Sequence, residues 1–170
     1  LTGRKYSQIE VFFFFFSAAG VFLLNSAAET AKDAIEESIE KANPVKLLRP
    51  NILRPFPSVT LMKAARSLKT LAIGERADTA GSEAGPLTHE IKSCLMSDNH
   101  SDVKVLTRIF GLGGKDFAAT DAKELINISQ DSANAKVFDF MGLTPGQKDQ
   151  QNKKDQQSKL VPKSHLPPID

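Results

Sequence analysis

The residue types that catalysis requires are present in this chain, but their spacing fits no recognised site. Gly111, Gly113, Gly114 and Lys115 have the composition of a phosphate loop. Such a loop needs a glycine, four further residues, a Gly-Lys pair and then Ser or Thr, so that backbone amides and the lysine surround the phosphates. Here Ile109 stands in the first glycine's place and Asp116 follows Lys115. A dinucleotide fingerprint opening at Gly111 fails in the same way, because Asp116 holds its third glycine position. The cluster therefore reads as a turn that ends a helix. His89, Cys94, Asp98, His100 and Asp102 are the right types for zinc, yet they match no closed ligand set. No nucleophile sits beside a base in a known arrangement. The expectation is no catalytic residue, no metal and no cofactor, and hence a protein that is not an enzyme.

Two sequons, at Asn99 and Asn127, are candidate glycosylation sites in a secreted chain. Lys46, Arg49, Arg54, Lys63, Arg66 and Lys69 carry positive charge with no acidic residue before Glu75. Such a run suits contact with lipid or another anionic surface. Nucleic acid is disfavoured, because aromatic residues are not interleaved with the charges. A solvated face is the plain alternative. The net charge of +2 selects no partner class by itself. The single cysteine, Cys94, excludes a fold stapled by internal disulfides.

The longest uncharged apolar run, Val11 to Leu24, sets the expected location. It follows Arg4 and Lys5 and is shorter than the roughly 20 residues a membrane-crossing helix needs. It suits the core of a secretory signal, with Ser26 and Ala28 at the small-residue positions and cleavage after Ala28. A short membrane anchor is the alternative, and so is an artefact of translation, since five consecutive Phe precede Ser17. The domain reading is a signal or anchor over 1–28, an amphipathic helix and basic Pro-rich linker over 29–57, a helical domain over 58–142, and a disordered tail over 143–170.

The elements expected to carry these groups are helices. Ala31, Ile35, Ile39 and Ala42 recur at helical spacing and stop at Asn43-Pro44. Four prolines from Pro44 to Pro57 favour extended backbone. Ser58 opens a second helix to about Ile73, with Gly74 as its C-cap. Further helices follow over Leu87–Met96, from Ser101 or Asp102 through Phe110, over Thr120–Ser129 and from Asp131 to Met141. No stretch alternates clearly at period two. The fold class is thus all-α, a small bundle of amphipathic helices.

Cys94, Asp102-Val103, Leu106, Phe110, Gly113-Gly114, Ala119-Thr120 and Leu125-Ile126 follow an order that resembles a stretch of apolipoprotein F, a secreted glycoprotein of lipoprotein particles. That resemblance implies a secreted protein bound to lipid or a lipoprotein surface and serving lipid transport as a modulator. The alternatives are a single-pass accessory subunit of a larger complex and a secreted effector with a protein partner. Arg66-Ser67-Leu68-Lys69 followed by Glu75-Arg76 is similar to the leader of oomycete effectors and belongs with the last of these.

Overall fold

A computed structural model describes residues 3, 6–12, 17–40, 43–97, 102–143, 146, 149 and 153. Its centre is a six-stranded sheet of β1 (Ile9–Phe12), β2 (Ala19–Phe22), β3 (Val45–Pro50), β4 (Thr70–Glu75), β5 (Lys104–Ile109) and β6 (Phe138–Phe140). The strand order is β1-β3-β2-β4-β5-β6, with β1 antiparallel to β3 and every other pairing parallel. Four α-helices cover the sheet: α1 (Asn25–Glu40), α2 (Ser58–Ala65), α3 (Pro86–Ser97) and α4 (Ala119–Gln130).

The sheet overturns the all-α expectation, and burial on both faces explains why. A parallel strand covered by helices on each side reads as a continuous apolar run without alternation. Every residue of β2 and of β4 is buried. On one face, Val21, Leu23, Leu47, Ala72 and Leu106 pack with Ala31 and Ile35 of α1 and with Leu125 and Ile126 of α4. On the other, Phe22, Leu48, Leu71 and Ile73 pack with Leu61 of α2 and with Leu87, Ile91 and Leu95 of α3. Glycine makes that closeness possible at β4. A methyl on Gly74 would reach within 3.2 Å of side-chain carbons of Leu23, Leu125 and Phe110. Gly74 is therefore an interior strand residue rather than a helix cap.

Three further corrections follow from the topology. The segment from Asp102 to Phe110, expected as a helix, is β5 and its end. The stretch from Asp131 to Met141, where a last helix was expected, runs without a helix into β6 and ends just after it. The apolar run supplies the end of β1 and the central strand β2, and Ala28 is fully buried in α1. Cleavage after Ala28 would take away a strand that pairs with both β3 and β4. One sheet thus crosses the expected boundaries at residues 28 and 57. No helix among the described residues is long and apolar enough to cross a membrane. The expected tail lies almost wholly outside the described residues.

Candidate functional site at the carboxyl edge of the sheet

In a parallel α/β sheet the loops leaving the strand ends converge along one edge, and ligands favour the place where the strand order reverses. Here β2 sits between β3 and β4, so the reversal falls at its end. Asn25, which opens α1 there, has φ of 47°, a left-handed conformation that asparagine tolerates better than most residues. The neighbouring loops carry Ile52, Leu53 and Arg54 after β3, Arg76 after β4, and Gly111 to Lys115 after β5.

Buried polar bonds fix this edge. Glu75 is 3% exposed, and its carboxylate accepts the backbone N–H of Leu87 at 2.9 Å and the Thr88 hydroxyl at 2.5 Å. It thereby caps the start of α3 and holds down the loop between β4 and that helix. Thr88 and Thr107 hydroxyls meet at 3.1 Å, linking the cap to β5. A side chain at Gly85 would collide with that carboxylate and with the Ala77 carbonyl. Arg54 pairs with Glu90 of α3 at 2.8 Å. Arg76 lies over the Phe110 ring, 5.7 Å from its centroid, and Phe110 in turn packs at a tilt of 53° against Phe117 with centroids 4.6 Å apart.

The basic residues read from sequence do not form one surface. Lys46 is 4% exposed, and its ammonium donates to the Ala64 carbonyl and to the Ser67 hydroxyl. Burial pushes its pKa below the ordinary value of 10.5. It ties α2 to the sheet instead of meeting a lipid surface. Arg49 bridges Glu10 of β1, at 2.5 Å, and Glu29 of α1, so its charge is already matched. Only Arg54 reaches the carboxyl edge, while Lys63, Arg66 and Lys69 are exposed on α2 and the turn after it. Asn127 is exposed on α4 beside a cleft of about 390 Å³ that Lys123 and Glu37 bridge at 2.7 Å. Asn99 lies outside the described residues.

His89 contacts the Ser82 hydroxyl at 2.8 Å. Cys94 is half-buried, and burial together with nearby Glu90 raises its pKa, which disfavours the reactive thiolate. Among the described residues, no three His, Cys, Asp or Glu side chains are placed to hold a metal ion. Sequence reasoning missed Glu75, Arg76 and Asn25. The available signal was positional: Asn25 and the Glu75-Arg76 pair stand at the ends of buried apolar runs.

A doubly wound α/β layer with an antiparallel edge strand is the class that fold and site define. Residues 18–122 match the family profile described as pyruvate:ferredoxin oxidoreductase core domain II. The chain belongs to that family. It is 32% identical over 124 residues to the ketoisovalerate oxidoreductase subunit VorA of Pyrococcus abyssi, covering 72% of this chain and 31% of that protein. It is 28% identical over 124 residues to the pyruvate synthase subunit PorA of Methanothermobacter thermautotrophicus, covering 73% and 31%. The chain thus spans about a third of the length of these curated relatives. A split-gene transketolase, solved as an inactive beta4 tetramer, shares the fold with a TM-score of 0.57 at 13% identity, covering 75% of this chain and 44% of that one.

These findings replace the apolipoprotein resemblance. Its marker residues Val103, Leu106 and Phe110 belong to β5 and its flanks, in a sheet that a helical lipid-binding protein lacks. The secreted, lipid-associated and non-enzymatic reading falls with it, as do the lipoprotein partner and the alternatives of an anchored subunit or exported effector.

Proposed function

We propose that this chain supplies the core domain II of an oxidoreductase that takes electrons from a short 2-oxo acid, pyruvate or ketoisovalerate, and passes them to ferredoxin. The observation that carries the reading is the family match, whose residues 18–122 run from the start of β2 into α4 and so cover the parallel core of the sheet. In such an enzyme the unit contributes its carboxyl edge, where Arg54 pairs with Glu90, Arg76 lies over Phe110 and the Lys115 ammonium meets the Gly142 carbonyl. Preorganised loops on a rigid sheet lose little entropy when they meet a substrate or another domain.

The test is to isolate the assembly containing this chain from the cells that encode it. Pyruvate and ketoisovalerate are then each supplied with oxidised ferredoxin and with coenzyme A, which accepts the acyl group left when CO2 is lost. Ferredoxin reduction dependent on one of the two acids is expected. An intact assembly that reduces ferredoxin with neither acid overturns the reading.

A further inference from the structure

We infer that the cleft between α1 and α4 is a second small-molecule site, separate from the carboxyl edge, and that it takes a short aliphatic α-amino acid as the zwitterion. The inference goes beyond the oxidoreductase reading and does not depend on it.

The cleft has a volume of about 390 Å³, near the lower end of the roughly 300–1,000 Å³ typical of small-molecule sites. A metabolite of a few carbons suits that space better than a nucleotide does. Ala34 and Ile126, both buried, form its apolar floor. Glu37 of α1 and Lys123 of α4 meet across it at 2.7 Å, with side chains 40% and 52% exposed. About 10 Å of helix, at 1.5 Å per residue, separates Lys123 from Gln130. The Gln130 amide donates to the Asn43 carbonyl at 2.6 Å and closes that end. Asn127 stands between the two ends, and its side-chain amide has no hydrogen bond among the described residues. Asn43 lies just before β3 and Gln130 ends α4, so the cleft opens toward the amino edge, away from Arg54 and Arg76.

Charge decides the ligand class. An exposed ion pair contributes little to stability, because water screens it, so Glu37 and Lys123 part easily. A zwitterion parts them by giving each a new partner: its carboxylate takes the Lys123 ammonium and its ammonium takes the Glu37 carboxylate. The Asn127 amide is placed to bond the same polar head, while a short apolar side chain covers Ala34 and Ile126. A 2-oxo acid brings only a carboxylate and competes with Glu37 for Lys123; a simple amine competes with Lys123 for Glu37. Only a ligand with both charges satisfies both side chains, so the cleft is not a second place for the 2-oxo acid. Among the described residues, Asp33 and Glu36 of α1 and Glu124 of α4 are not walls of the cleft. Its lining charge is therefore balanced, as a neutral zwitterion requires.

The experiment titrates the full chain with L-valine by isothermal calorimetry. N-acetyl-L-valine and L-valinamide serve as probes that lack the ammonium and the carboxylate. L-valine is expected to bind one to one with a Kd of about 1 mM or tighter. Each blocked probe should bind about tenfold or more weakly, and so should glycine, which leaves the apolar floor uncovered. Glu37→Gln and Lys123→Gln should each weaken L-valine binding by about tenfold or more with the melting temperature unchanged. Lys92→Gln, on α3 across the sheet, is the control and should bind like wild type. Absence of saturable heat from L-valine at millimolar concentration overturns the inference. So does either blocked probe or glycine binding as tightly as L-valine, and so does wild-type binding by Glu37→Gln or Lys123→Gln. The probe comparison on the unaltered chain stands whatever the substitutions do to folding. Neither a 2-oxo acid nor ferredoxin is present, so a failure here leaves the oxidoreductase reading intact, and a failure to reduce ferredoxin leaves this site intact.

Discussion

Glu75 shows how one buried side chain can hold an edge together. Its carboxylate accepts from Leu87, Thr88 and the Thr88 hydroxyl inside a space that Gly85 keeps open. Glu75→Ala leaves those donors buried without partners, a loss of about 1–3 kcal/mol. Urea midpoints at constant m-value measure it, and Glu75→Gln should fall between the two because its amide oxygen still accepts. Lys46 makes a prediction about pH. Its folded pKa is depressed by burial, so between that depressed value and the ordinary 10.5 the unfolded chain binds more protons than the folded one. Lys46 should therefore add a rise in stability as pH climbs through that window, and Lys46→Met should abolish the rise. Denaturation midpoints of both proteins across the alkaline range check this; identical slopes would contradict it.

At the scale of elements, β2 is the decisive strand. It pairs with β3 on one side and β4 on the other, and Val21, Phe22 and Leu23 are wholly buried. A chain starting at Glu29 would lack β1 and β2 and leave the facing surfaces of α1, β3 and β4 uncovered. Such a truncation should show no cooperative melt by circular dichroism, whereas a processed secretory protein would fold normally. Helix α4 offers a milder test. Leu125 is fully buried against Gly74 and the β2 end, so Leu125→Ala should cost about 2–5 kcal/mol by large-to-small truncation. Chemical denaturation measures that loss.

At the scale of the whole molecule, the sheet joins residues from Ile9 to Phe140 into one hydrogen-bonded layer. A chain built of separate 29–57 and 58–142 pieces would unfold in steps. A shared sheet with cores on both faces should unfold as one unit. Cys94 supplies a probe, because it is half-buried on α3 while far-ultraviolet circular dichroism reports all helices together. Thiol labelling and circular dichroism should give coincident urea transitions, and separated midpoints would show independent parts.

The helices were legible from residue order alone. The stripe of Ala31 and Ile35, the spacing of Leu87, Ile91 and Leu95, and the pair Leu125-Ile126 each mark a face at helical period, and α1, α3 and α4 lie there. Gly111 and the prolines from Pro44 to Pro57 marked real changes of direction for the same local reason, restricted or permissive backbone torsions. The central strands were hidden. Thr70–Glu75 and Lys104–Ile109 are buried on both faces, so their apolar residues do not alternate and short runs pass for helix. The site was hidden with them. Glu75, Arg76, Asn25 and Leu112 are far apart in the chain, and only the pairing of β2, β4 and β5 sets their loops along one edge. Local torsional preference acts over a few neighbouring residues, so order along the chain determined the helices and breaks. Strand pairing, burial and the assembled edge depend on long-range packing, which the tertiary structure decided.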